Sequence, residues 1–223
     1  MVICLVTDRR RLGAAIGAGP AELIGALETQ IVAAAEAGID FVQIREPDLN
    51  ARALTSLVRS LAGKVRGTET RLLVNDRIDV AMAAGASGIH LKESSIAPEL
   101  ARRLVPSGFV VACAVHTPLT ATARHCADFL IAGTVLPTVS KLAADYLEWK
   151  GLEEVIGAAK GTPVLGIGGL DLASIRSLAA TGAAGLAGVG AFIPPAGPSG
   201  LAEFVKKRVI DMRFAFDSAQ TDP

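Results

Sequence analysis

Eight short apolar stretches recur along the chain, at residues 2–6, 41–44, 72–74, 88–91, 110–115, 129–132, 163–167 and 185–189. They are mostly continuous rather than alternating, the pattern of parallel strands buried on both faces. Between them lie stretches with helical spacing. Pro20 opens one at a position that tolerates proline; Leu23, Leu27 and Ile31 form its apolar stripe, and Gly38 ends it. Others are expected over 51–65, 80–84, 98–104, 119–126, 153–160 and 172–180, with residues 9–20 as a glycine-rich loop. A helix end on glycine followed by strand re-entry repeats at Ala37-Gly38-Ile39-Asp40, Ala84-Gly85-Ala86-Ser87 and Thr181-Gly182-Ala183-Ala184, as repeated βα units require. Eight such units predict an α/β fold, a closed (β/α)8 TIM barrel as a single domain over residues 1–206, with a C-terminal extension at 207–223. A doubly wound open sheet is the alternative, but would usually have fewer strands.

Polar residues cluster just past the strands: Asp8, Gln43 and Arg45, Asn75 and Asp76, Lys92 and Glu93, His116, Thr138 to Lys141, Gly168 and Gly169, and Gly190. In a barrel all these ends converge on one mouth, where active sites form. Packing alone does not account for polar groups at so many ends of one face.

The segment from Asp128 to Lys141 joins a buried strand to a loop of donors. Pro137 stops the ladder, and Thr138, Ser140 and Lys141 follow. Hydroxyls and a cation there suit an anionic ligand, with phosphate first among them; an ordinary polar loop is the alternative. Gly168 and Gly169 after the seventh strand and Gly190 after the eighth allow backbone N–H groups to approach a phosphate, at the usual phosphate site of a barrel. The glycines can equally relieve crowding at the turns. Arg45 can grip phosphoryl oxygens or pair with Glu46. Asp76 can bind Mg²⁺, which takes carboxylates and phosphates together, or pair with Arg45 or Arg77. His116, at the mouth, is the candidate proton carrier, since imidazole can give and take protons near neutral pH. His90 and His125 are read as structural, one within a strand and the other within a helix.

Acids and bases balance at 22 each, so no bulk field points to nucleic acid or an anionic membrane. The apolar runs are too short for a bilayer. The first residues read as a strand rather than an export signal, so a cytoplasmic protein is expected. Cys4, Cys113 and Cys126 are expected as buried reduced thiols without metal-ligand spacing.

Together, Asp40-Phe-Val-Gln-Ile-Arg-Glu46, Val74-Asn-Asp-Arg-Ile-Asp-Val80, Gly88-Ile-His-Leu91, Val115-His-Thr117, Gly133-Thr-Val-Leu-Pro-Thr-Val-Ser-Lys141 and Gly166-Ile-Gly-Gly-Leu170 resemble the thiamin phosphate synthase/TenI superfamily. The resemblance runs from Val2 to about Phe204. It implies a barrel of thiamin biosynthesis that binds a small-molecule thiazole phosphate, with a homo-oligomer possible. For the synthase branch it implies condensation with a pyrimidine diphosphate using Mg²⁺, and matches Gln43, Arg45, Asn75, Asp76, Thr138, Ser140 and Lys141. Departures from that branch are Pro47 for a lysine, Ser95 for the second metal carboxylate, Ala114 for a serine and Gly190 for a serine. These departures make the leading expectation a TenI-like thiazole tautomerase with His116 as its acid/base group and no cofactor. A divergent Mg²⁺-dependent synthase using Asp76 is the runner-up, and a non-catalytic phosphate-binding paralogue the third reading.

Overall fold

The computed structural model describes residues 1–138, 146–195 and 200–221. The strands are β1 (Val2–Val6), β2 (Phe41–Ile44), β3 (Arg71–Asn75), β4 (Gly88–Leu91), β5 (Val110–Val115), β6 (Phe129–Gly133), β7 (Val164–Ile167) and β8 (Gly185–Gly188). All neighbours pair in parallel, and β8 pairs with β1 to close the barrel. The described helices are α1 (Arg9–Ile16), α2 (Leu23–Glu36), α3 (Ala51–Lys64), α4 (Ile78–Ala84), α5 (Pro98–Leu104), α6 (Pro118–Ala123), α7 (Glu148–Ala158), α8 (Ile175–Ala180) and α9 (Leu201–Thr221). The expected (β/α)8 barrel is therefore the observed fold.

Strand side chains point alternately to the two faces, and two apolar clusters result. Ile3 and Leu5 of β1 join the layer between strands and helices, with Leu27 and Ile31 of α2. Cys4 and Val6 join a cluster drawn from strands and their ends, with Leu73, Ala112, Phe129, Ile131, Leu165 and Ala187. That second cluster fills the lumen. Space there is tight: a Cβ on Gly88 would lie 2.5 Å from the Val110 carbonyl, and one on Gly133 2.4 Å from that of Ile167.

Three local expectations are corrected. Residues 9–16, expected as loop, form α1. Asp8 caps it by accepting from the Arg11 N–H at 2.9 Å, which offsets the cost of Gly13 inside the helix. His125 lies just beyond α6, whose last residue is Ala123; its Nδ1 is 2.8 Å from the Thr122 carbonyl. Cys126 is exposed, whereas Cys4 and Cys113 are buried; burial pushes the Cys4 thiol up to about 12, so it stays protonated.

Helix α9 runs unbroken across residue 207. Val205, Val209, Met212 and Phe216 are buried along one stripe. Arg213 donates to the carbonyls of Met1 and Gly38 and to Asp40 Oδ2, tying the helix to the starts of β1 and β2. Among the described residues, no helix is long and apolar enough to cross a membrane.

Candidate active site

The lumen's alternation carries the polar residues to the mouth. Phe41, Gln43 and Arg45 share one parity, as do Leu73 and Asn75, Gly88, His90 and Lys92, and Ala112, Ala114 and His116. Each series runs from the filled lumen into a cavity of about 1120 Å³ lined by Gln43, Arg45, Asn75, His90, Lys92, Glu93 and His116. Thr138, Gly168, Gly169 and Gly190 line its other side. Ser140 and Lys141 lie outside the described residues.

At the floor, Gln43 Nε2 donates to Asn75 Oδ1 at 2.9 Å and meets His90 Nδ1 at 3.1 Å. An amide nitrogen only donates, so His90 Nδ1 accepts and its proton sits on Nε2. That Nε2 is buried and unpartnered among the described residues. Burial lowers the His90 pKa to about 4, so the ring stays neutral. His90 is thus a cavity residue as well as a packed one.

Asp76 departs from the expected pairings. Arg77 binds Asp79 instead, while Asp76 Oδ2 lies 2.7 Å from Lys92 Nζ and Oδ1 accepts from Ser95 Oγ. Burial opposes ionisation of Asp76, but the hydrogen bonds from Lys92 and Ser95 outweigh it and hold the carboxyl below its usual range. Glu46, weighed as a partner for Arg45, is buried and bound to Arg9 at 2.7 Å, and Asp48 binds the same guanidinium at 2.5 Å. Arg45 remains exposed at the mouth, its backbone N–H donating to Thr7 Oγ1 at 2.9 Å. His116 Nδ1 is bonded to Glu93 Oε2, an arrangement that orients the ring.

Mg²⁺ in phosphate-binding sites takes one or two carboxylates together with substrate phosphates. Here Asp76 is engaged on both oxygens, by Lys92 and by Ser95, and Ser95 stands where the second metal carboxylate is expected. In this arrangement an ammonium already occupies the carboxylate that a Mg²⁺ would take.

On the opposite side, Gly168 and Gly169 have φ of 98° and 68°. A Cβ on Gly168 would lie 2.4 Å from Thr134 Cγ2, and one on Gly169 2.6 Å from the Leu136 carbonyl. Turn geometry and close packing alone therefore require glycine at both positions. Gly190 differs, because the nearest atom to a Cβ there would be Nη2 of the Arg11 guanidinium, at 2.9 Å, rather than backbone. Arg11 and Arg208 both line this half of the cavity. Neither carries a local sequence signal: Arg11 follows the first strand in a stretch that reads as loop, and Arg208 lies outside the βα repeat, on α9.

A family model described as thiamine monophosphate synthase matches residues 15–192. Over 198 residues the chain is 37% identical to a protein of Geobacter sulfurreducens provisionally named thiamine-phosphate synthase, covering 87% of each. It is 31% identical over 215 residues to the thiamine-phosphate synthase of Xanthobacter autotrophicus, covering 96% of this chain and 97% of the other. Among solved structures, thiamine phosphate pyrophosphorylase from Pyrococcus furiosus superposes with a TM-score of 0.78 at 24% identity, covering 98% and 96% of the two chains. That last likeness bears on the fold alone.

Proposed function

The chain belongs to the thiamine monophosphate synthase family, and from that premise we propose that it condenses a pyrimidine diphosphate with a thiazole phosphate, releasing pyrophosphate. One observation carries this reading: two sets of groups with donors or positive charge, suited to phosphates, line opposite sides of a single cavity. Gln43, Arg45, Asn75 and Lys92 line the β2–β4 side, and Gly168, Gly169, Gly190, Arg11 and Arg208 the β7–β8 side. Two phosphate-bearing substrates need two such sets, whereas isomerising one phosphate ester needs one. The names of the relatives favour the same reaction over the tautomerase expected from sequence.

In this reading the β7–β8 side holds the thiazole phosphate through backbone N–H groups, and Gln43, Arg45 and Asn75 hold the diphosphate. Fixed donors aimed at the departing oxygens stabilise the charge that develops there, and holding both reactants in one cavity supplies proximity.

The His116–Glu93 pair favours a second reading, tautomerisation, because a carboxylate-oriented imidazole suits proton transfer. Purified protein given both condensation substrates, and separately the thiazole carboxylate phosphate, distinguishes the two. Thiamine phosphate should form from the first set. His116→Asn should then reduce condensation by less than about tenfold, whereas a tautomerase would lose roughly 10² to 10⁴ in rate. Aromatised thiazole phosphate from the second substrate, with no condensation, would reverse the order of the readings.

A further inference from the structure

We propose that Lys92 is a built-in cation for the diphosphate: its ammonium bridges Asp76 and the phosphoryl oxygens, and a protein-held divalent ion is not needed there. The inference rests on the two-substrate reading for the presence of a diphosphate, but the binding it describes is separable from turnover.

The placement follows from strand parity. Lys92 takes the lumen-facing slot after Gly88 and His90, so its stem starts at the mouth, beside Asn75 and on the same side of the cavity as Arg45. Asp76 has the opposite parity to Asn75 and is not among the cavity-lining residues. It reaches Lys92 because its backbone turns to φ 59°, a left-handed conformation that aspartate tolerates better than most residues. Its N–H donates to the His90 carbonyl at 2.9 Å, locking that turn to β4.

Lys92 Nζ lies 2.7 Å from Asp76 Oδ2, and Ser95 Oγ donates to Oδ1. The Lys92 backbone N–H donates in turn to Ser95 Oγ at 3.1 Å, so the three residues form one closed network. A divalent ion would have to displace the ammonium from the carboxylate it needs. An ammonium carries three N–H donors. Asp76 takes one, and the side chain is 55% exposed, so the others can serve a ligand. Charge points the same way: a lone Asp76 beside the cavity would repel a diphosphate, whereas the Asp76–Lys92 pair sums to zero and presents its cationic end. Arg45, just past β2 and two strands away, lines the same cavity and adds a second positive charge.

The test is calorimetric titration with inorganic pyrophosphate in metal-depleted buffer, using wild type, Lys92→Met and Lys92→Arg. Wild type should bind. Lys92→Met should bind more weakly by on the order of 10- to 100-fold, the worth of a lost charged hydrogen bond, and Lys92→Arg should restore most of the affinity. Electron paramagnetic resonance of added Mn²⁺ gives a second measurement on wild type alone, independent of any variant's folding. No stoichiometric Mn²⁺ should bind. Stoichiometric Mn²⁺ on wild type, or unchanged pyrophosphate affinity in a folded Lys92→Met, would overturn the proposal. Lys92-dependent pyrophosphate binding without formation of thiamine phosphate would instead sink the condensation reading and leave the binding site standing.

Discussion

At Gly190 the nearest atoms to an added Cβ belong to the end of the Arg11 side chain rather than to backbone, so Gly190→Ala should fold. It should also obstruct the close approach of a phosphate to the backbone, and calorimetry with thiazole phosphate should show affinity lowered by about tenfold or more. Unchanged affinity would move the phosphate away from the eighth strand. Gly168→Val is a poorer probe, because its φ of 98° and its contact with Thr134 already demand glycine. His90 gives a different prediction. Its pKa is lowered to about 4 in the fold by burial, while in the unfolded chain imidazole titrates near 6.5. Between those values the unfolded state binds the extra proton. Stability from this group is therefore complete above pH 6.5 and falls as the pH drops through about 4, by about 3 kcal/mol in total. Urea unfolding across that range should show the decline in wild type and a shallower one in His90→Gln. Parallel slopes would mean that the buried ring does not titrate as its surroundings require.

Among the elements, α9 does most to extend the barrel beyond its repeat. Its stripe of Val205, Val209, Met212 and Phe216 packs on the core, mainly against α2 and α8, and Arg213 anchors it at the bottom of β1 and β2. Ending the chain at residue 206 would remove three of those four side chains. Each large-to-small loss in a core costs about 2 to 5 kcal/mol, against a typical total of about 5 to 15 kcal/mol. The shortened chain should therefore fail to unfold cooperatively when heated, and Phe216→Ala alone should cost about 3 to 5 kcal/mol in urea. A truncated protein that melts like the full chain would make residues 207–221 an appendage. The helix also carries Arg208 to the cavity, so its loss would reach the candidate phosphate site as well as the core.

At the scale of the whole molecule, the proposed reading places two anion-binding sides on separate strands around one opening. Pyrophosphate and thiazole phosphate should then bind together rather than compete. Saturating pyrophosphate should change thiazole phosphate affinity by less than about threefold, since screened charges across a solvated mouth couple weakly. Mutual exclusion in that titration would mean one shared phosphate site and would favour the single-substrate reading.

Strand positions, the order of βα units and the residues that end each strand follow from local patterns: apolar continuity, glycine stops and a side-chain period of two. These were legible in the sequence, and with them the closed barrel and the gathering of Gln43, Arg45, Asn75 and His116 at one mouth. What each side chain binds there depends on distances between loops far apart in the chain, which no local pattern encodes. Only the tertiary structure pairs Asp76 with Lys92 rather than Arg77, Glu46 with Arg9 rather than Arg45, and His116 with Glu93. It also decides that α9 delivers Arg208 to the mouth. The difference is physical: backbone pattern is set by neighbours in sequence, whereas charge pairing is set by neighbours in space.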